Sequence, residues 1–289
     1  MTAVGCSRAP DPSESGKIPV TVSIVPQKYF VERIGGDQVV VNVMVEAGAS
    51  PAIYEPKPSQ IRALSGSAIY FAAGVPFESV WLGRLTRDLH SLRVVNTSEG
   101  IEKLKMSAHD HHDHGHEHAH GEETLDPHTW LSPRLVKAQA KTICAALCEF
   151  DPAHSRIFRE NLDSFLGELD ALHVELQALF DDVESRSFLV FHPSWGYFAR
   201  DYGLRMHPVE VGGQEPSAAE LRVLLNRSRE EKIRAVLVQP EFSQRSAEII
   251  AKEIGAEIIE ASPLSESWPE NLRRVAGELR RVLQEPSEP

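Results

Sequence analysis

The sequence predicts an α/β protein of two lobes, each built on a parallel sheet. Short runs rich in β-branched residues alternate with amphipathic segments along most of the 289 residues. Alternation of this kind is typical of parallel sheets. A chain of this length exceeds the usual single-domain size, so two domains of about 130 residues each are expected.

The first lobe is predicted over residues 18–135, after a tether over residues 1–17. Its first strand is an alternating, β-branched run. The predicted strands are 18–25, 39–45, 67–72 and 92–95, and the predicted helices are 27–34, 58–64 and 79–92.

A helical region is predicted over residues 136–185, and most of it forms one long amphipathic segment over 152–183. Apolar residues repeat there at spacings of three and four, as one face of a helix requires. A helix of about 32 residues would extend about 48 Å and could join the lobes rigidly. The alternative is two stacked helices broken near Gly167. The repeating residues are Leu162, Phe165, Leu169, Leu172, Leu176 and Leu179.

The second α/β lobe is predicted over residues 186–289, where the alternation resumes. Ser217 and Glu220 form a capping box that predicts the start of a helix. The predicted strands are 187–191, 205–209, 235–238 and 257–260, and the predicted helices are 195–202, 217–230, 247–254 and 269–283.

The charge balance excludes several partners. The chain carries 42 acidic and 30 basic residues, a formal net charge of -12. Nucleic acids and anionic lipids attract basic surfaces, so neither is an expected partner. No stretch approaches the roughly 18 consecutive apolar residues of a membrane span. An acidic protein of this kind suits the capture of cations.

The three cysteines fall into two groups. Cys6 ends a run of small residues and precedes a polar segment rich in proline and serine. That pattern resembles the end of a bacterial lipobox without the regions that precede it, and it predicts a lipidated cysteine on a flexible tether; the alternative is a cysteine without function. Cys144 and Cys148 lie four residues apart on an apolar helix and are interpreted as reduced core thiols, because helix geometry strains a disulfide at that spacing.

A polar tract over residues 109–120 holds seven of the thirteen histidines, interleaved with Asp and Glu. It contains no apolar residue larger than alanine, so it is expected to be disordered. Imidazole nitrogens bind zinc, copper or nickel, so the tract is expected to hold such ions loosely. The alternative is an inert solvated linker. The histidines are His109, His111, His112, His114, His116, His118 and His120.

Two single histidines occupy positions typical of ligand sites. His192 ends a buried strand, and His128 follows the histidine tract in an Asp-Pro-His motif before a helix. Ligands of α/β domains gather at the carboxyl ends of strands, and here each histidine would come from a different lobe. Either residue could instead be a polar side chain without a ligand role.

Together these segments resemble the zinc- or manganese-binding component of ATP-binding-cassette (ABC) importers. The histidine tract before the Asp-Pro-His motif resembles the zinc branch in particular. The resemblance implies two α/β lobes, a rigid linking helix, a metal site in the cleft between the lobes, and no catalysis. The motifs that carry it, in the family's order, are Gly-Ala-Ser-Pro-Ala-Ile-Tyr-Glu-Pro-Lys-Pro-Ser over 48–59, Phe-Glu-Ser-Val-Trp over 77–81, Asp-Pro-His-Thr-Trp-Leu-Ser-Pro over 126–133, His-Pro-Ser-Trp-Gly-Tyr-Phe-Ala-Arg-Asp-Tyr-Gly-Leu over 192–204 and Pro-Glu-Phe-Ser over 240–243.

The family takes one metal ligand from each of four segments, typically three histidines and a carboxylate or water. By this resemblance His128 and His192 are the second and third ligands. At the first position Ala52 replaces a histidine, and alanine cannot coordinate a metal. At the fourth, Ser262 replaces the aspartate of an Asp-Pro-Leu motif.

A carboxylate is also displaced in this chain. Gln239-Pro240-Glu241 replaces the family's Glu-Pro-Gln. Residues two apart on an extended segment face the same way, so Glu241 could reach the cleft that Gln239 faces. His128, His192, Glu241 and water would make a weaker zinc site. A histidine of the 109–120 tract could also contribute.

The expected function is therefore that of a monomeric, periplasmic or otherwise extracytoplasmic lipoprotein. It would bind Zn²⁺, or Mn²⁺ or another divalent transition metal, and deliver it to an ABC importer permease. The alternative is a metal buffer or chaperone that lacks the cleft site or binds another ligand.

An enzyme is not expected. The letters of His-Glu-x-x-His occur only inside the polar histidine tract, which is not expected to form the helix that this motif requires. The Gly-x-Ser-x-Gly motif of serine hydrolases does not occur.

Overall fold

The structure, a computed structural model, describes residues 16–106, 125–211, 213–240 and 245–284. Two four-stranded sheets form the framework, and every strand pair in both is parallel. This confirms the predicted α/β class. Within the described ranges no helix is both long enough and apolar enough to cross a membrane. The division into lobes at residues 18–135, 136–185 and 186–289 stays a prediction.

The first sheet has the strand order β2-β1-β3-β4 and the second the order β6-β5-β7-β8. The inner strands β3, β5 and β7 are buried along their whole length, as expected when helices cover both faces of a parallel sheet. The strands are β1 Ile18–Ile24, β2 Val39–Val45, β3 Ile69–Ala72, β4 Arg93–Asn96, β5 Ser187–Val190, β6 Arg205–Pro208, β7 Ala235–Val238 and β8 Glu257–Glu260.

The helices alternate with these strands, apart from two that follow one another between the sheets. They are α1 Val25–Gly35, α2 Pro58–Ser65, α3 Pro76–Leu85, α4 Pro133–Phe150, α5 Ser155–Ala178, α6 Gly196–Asp201, α7 Ala218–Glu230, α8 Arg245–Ile254 and α9 Trp268–Gln284. Helix α7 begins at the predicted capping box of Ser217 and Glu220. Helix α3 ends seven residues before the predicted position and starts three earlier, at Pro76, a residue suited to the first turn of a helix.

The long connecting helix is confirmed, with shorter bounds than predicted. Helix α5 has 24 residues, about 36 Å at 1.5 Å per residue. A separate 3₁₀ turn, Pro152–His154, precedes it, and the non-helical backbone of His154 (φ -100°, ψ 7°) separates the turn from α5. The helix runs without interruption through Gly167, so the alternative of a break there is wrong.

Aromatic side chains join the two halves of the chain. Phe30 of α1 packs against Phe165 of α5 and edge-on against Trp268 of α9, with ring centres 6.1 and 5.0 Å apart. Tyr29 stacks on Trp268 at 6.0 Å. These rings belong to one continuous core that includes residues of both sheets. The long helix is therefore held to the N-terminal and C-terminal halves at once.

Cys144 and Cys148 are free thiols on α4, with their sulfur atoms 3.8 Å apart. Burial raises the pKa of the Cys144 thiol to about 12, so this thiol stays protonated at neutral pH. The interpretation as reduced core thiols agrees with this environment.

A partly buried cluster of charges links the strands and helices of the second sheet. Glu231, after α7, accepts hydrogen bonds from Arg227 and from Ser187 of β5, at 2.8 and 2.7 Å. His207 Nε2 of β6 lies 2.9 Å from the same carboxylate. Burial alone would raise the pKa of Glu231, but the hydrogen bonds and nearby positive charge outweigh it and lower the pKa to about 2.

We expect Glu231→Gln to lower the free energy of unfolding by on the order of 2 kcal/mol at pH 7. The folded-state pKa lies below the ordinary value of 4.5, so the stabilisation is present above that pH and is lost as the pH falls toward 2. Urea unfolding of both proteins at several pH values down to about 4 checks this. The difference in the free energy of unfolding between the parent and Glu231→Gln should become smaller below pH 4.5. A difference that becomes larger there contradicts the prediction. Glu230→Gln, at an exposed neighbour, is the control and should cost little.

Candidate metal centre

Two histidines meet in the structure although 64 residues separate them in sequence. His192 follows β5, and His128 directly precedes a 3₁₀ helix, Thr129–Leu131. Their ring centres lie 5.3 Å apart, with the ring planes at 75°. His128 is buried and His192 is partly buried.

Each imidazole is bonded through Nδ1 to a carboxylate. Asp126 Oδ1 lies 2.7 Å from His128 Nδ1, and Glu210 Oε1 lies 2.7 Å from His192 Nδ1. An ionised carboxylate can only accept a hydrogen bond, so both Nδ1 atoms carry the proton. The lone pair of each neutral ring is then on Nε2, the nitrogen that an imidazole in this tautomer uses to coordinate a metal.

The two carboxylates are themselves buried and fixed. Asp126 is 3% exposed and Glu210 is 6% exposed. The Asp126 side chain also accepts the backbone N–H of His128 at 2.9 Å, and its carbonyl accepts the Tyr197 hydroxyl at 2.8 Å. The backbone N–H of Glu210 donates to the carbonyl of Phe191, the residue before His192, at 3.2 Å. Both rings are thus oriented before any metal arrives.

Gln239 holds the backbone of the His192 loop. Its Oε1 accepts the His192 N–H at 3.1 Å, and its Nε2 donates to the His192 carbonyl at 2.8 Å and to Ser194 Oγ at 2.7 Å. The amide group of Gln239 therefore positions the His192 loop.

The ring spacing suits a tetrahedral ion. A zinc bound to Nε2 at about 2.0–2.1 Å lies about 3.2 Å from each ring centre. A tetrahedral angle then places two ring centres about 5.2 Å apart, and a right angle places them about 4.5 Å apart. The observed 5.3 Å matches the tetrahedral value.

The segment that carries His128 is bonded to the C-terminal part of the chain. Trp130 Nε1 donates to the carbonyl of Pro263 at 2.7 Å, and Trp268 Nε1 donates to the carbonyl of Trp130 at 2.9 Å. Ser132 bonds Asp201 at the end of α6. Reciprocal buried bonds of this kind fix His128 relative to His192.

Among the described residues, the other predicted ligand positions bring no further metal ligand to the histidine pair. Ala52 lies on an exposed turn beside Ile53, which is 84% exposed. Ser262 Oγ accepts the backbone N–H of Leu264 at 3.2 Å. Across the described ranges, no group of three or more His, Cys, Asp or Glu residues is placed to hold a metal. Glu241, the histidine tract over 109–120 and Cys6 lie outside those ranges.

Two positioning side chains of the site were missed by sequence reasoning. Asp126 was visible as part of the Asp-Pro-His motif, two residues before His128. Glu210 stands 18 residues after His192, beyond the end of the motif over 192–204. Its only sequence signal is that it follows a strand, as His192 does, and parallel neighbouring strands end at the same edge of a sheet.

Comparison with known proteins confirms the resemblance. The model of a family described as zinc-uptake complex component A, periplasmic, matches residues 20–281. The high-affinity zinc uptake system protein ZnuA of Bacillus subtilis is 29% identical over 249 residues, 84% of this chain and 77% of that protein. The zinc-binding lipoprotein AdcA of Streptococcus pneumoniae is 27% identical over 281 residues, 95% of this chain and 55% of that protein.

Solved structures agree with the sequence comparison. A crystal structure of a ZnuA deletion mutant with zinc bound is 41% identical to this chain and superposes with a TM-score of 0.85. The match covers 93% of this chain and 99% of the solved one.

Proposed function

This chain belongs to the family of the periplasmic zinc-uptake component A, and on that basis we propose that it captures a transition-metal ion, principally zinc, outside the cytoplasmic membrane and delivers it to the permease of an ABC importer. The observation that carries the proposal is the His128–His192 pair, with each Nδ1 bonded to a buried carboxylate. The family's members are solute-binding proteins for metal transport, not enzymes. We further propose that the protein works as a monomer.

The donor set favours zinc over harder cations. Neutral imidazoles bind zinc, copper and nickel well, whereas magnesium and calcium prefer oxygen ligands. The ring spacing fits the tetrahedral geometry that zinc adopts. The family's zinc-bound relative supports the same choice of ion. We propose that other divalent transition metals compete at this site with lower affinity.

We propose that Glu241 and a water complete the coordination. The support for this is that Glu241 follows Gln239 by two positions in the sequence, and that the Gln239 side chain is bonded to the backbone of His192. In this proposal the tract histidines of residues 109–120 form a secondary, looser site that collects the ion near the cleft.

A second candidate function is a metal buffer that relies on the tract alone. It is favoured by the absence of a third ligand beside the pair within the described ranges, and by alanine at position 52. The two functions differ in whether metal binding survives deletion of the tract.

The first test uses protein that lacks residues 109–120. We expect it to bind about one zinc, and His128→Ala or His192→Ala to raise the Kd at least about tenfold, because each change removes one of few ligands. Isothermal titration measures this. The control is His173→Ala. His173 lies in α5 and packs on Tyr202, so its replacement should leave the Kd for zinc unchanged. Unchanged affinity in both cleft variants would favour the buffer.

The second test restores the missing imidazole. In the same tract-deleted protein, Ala52→His should tighten zinc binding about tenfold, or 1.4 kcal/mol, because a third nitrogen replaces a water. Ile53→His adds a histidine to the same turn at a position the family does not use for metal, so it should have little effect. Equal titrations for Ala52→His and the parent would show that position 52 does not face the ion.

We also propose that Cys6 anchors the protein to a membrane through lipid. The small residues before Cys6 and the polar tether after it support this, as does a relative named as a lipoprotein. In a bacterial host that exports the chain from a complete lipoprotein signal region, a clickable fatty acid should label the parent and Ser7→Ala. Cys6→Ser should carry no label and should leave the membrane fraction. A Cys6→Ser protein that is still labelled contradicts the anchor.

A further inference from the structure

We infer that Glu210 is a positioning residue that determines which nitrogen of His192 faces the metal. The inference rests on the proposed function, since it assigns a role within the same site. Neither the sequence motifs nor the family's four ligand segments include Glu210, which is brought to the site by the fold.

The geometry around His192 leaves little freedom. Gln239 fixes the backbone N–H and carbonyl of His192, and Glu210 fixes its Nδ1 at 2.7 Å. Glu210 in turn is tied by its own backbone to Phe191 at 3.2 Å. Since Glu210 is 6% exposed, its carboxylate has few water molecules to bond instead. The ring therefore has one favoured orientation.

The chemistry of imidazole makes this orientation consequential. A free neutral imidazole carries its proton mainly on Nε2, and the hydrogen bond to the other nitrogen decides the tautomer in a protein. A carboxylate at Nδ1 holds the proton there and keeps the lone pair on Nε2. It also makes the ring a stronger donor to a metal. Without Glu210, His192 would first have to move its proton before binding.

A second carboxylate–histidine pair, at the same sheet, has a structural role and can be compared with Glu210 and His192. Glu231 contacts His207 and is also bonded by Arg227 and Ser187, which offset its charge. Among the ion pairs of the described residues, Glu210 has His192 as its partner and no lysine or arginine. The charge of Glu210 therefore acts on His192, and through it on a bound cation.

The experiment combines two measurements on tract-deleted protein. Nitrogen-15 NMR of the metal-free protein, assigned with His192→Ala, reports the His192 tautomer, and titration reports the zinc Kd. We expect the parent to show Nδ1–H and Glu210→Ala to shift toward Nε2–H, with zinc affinity reduced about 10- to 100-fold. Glu210→Gln retains an acceptor oxygen without the charge and should lie between the two.

Glu231→Gln is the matched control, because it removes the charge from the other carboxylate–histidine pair, which is partly buried, and is expected to lower stability. It should change neither the His192 tautomer nor the zinc Kd, which separates positioning from general destabilisation. An unchanged tautomer in Glu210→Ala, or an unchanged Kd, overturns the inference. If His192→Ala weakens zinc binding while Glu210→Ala does not, only the inference fails. If neither weakens it, the proposed function fails as well.

Discussion

The parallel pairing of β5 with β6 and β7 is the constraint on which the candidate site depends. His192, Glu210 and Gln239 follow these three neighbouring strands, so the end of the sheet brings them together. The backbone bond from Glu210 to Phe191 continues the pairing one step beyond the strands. A change of register by one residue would turn Glu210 away from His192 and break its contact with Nδ1.

The second constraint is the attachment of the His128 segment to the C-terminal part of the chain. The indole groups of Trp130 and Trp268 each donate to a buried carbonyl, and Tyr197 donates to Asp126. A buried hydrogen bond that is broken leaves an unsatisfied group, at a cost of about 1–3 kcal/mol. The distance between the two imidazoles is therefore set by protein packing.

The fold could be predicted from the sequence because its main signals are local. The all-buried strand Ala235–Val238 and the capping box at Ser217 can be read within a few residues. The ends of α5 were less certain, since the apolar repeat continues into Leu179 and Phe180 after the helical backbone ends. His128 and His192 were predicted as site residues by motif and strand position. Glu210 could not be predicted as a site residue, because its contact with His192 arises from the pairing of two strands and not from a spacing along the chain.

A preformed histidine pair changes what the loss of a third imidazole means. If the two rings had to be ordered by the metal, removing a ligand would also weaken that ordering. Here Asp126, Glu210 and Gln239 hold the rings without it, so under the proposed ligand assignment alanine at position 52 subtracts one ligand and leaves the rest of the site intact. A zinc site with an open position keeps exchangeable water, whereas closed structural sites retain the ion. A protein of this family must release its metal ion to a permease. Two fixed imidazoles would hold the ion, while its other ligands, such as water, could be exchanged. The same site could then both capture and release the ion.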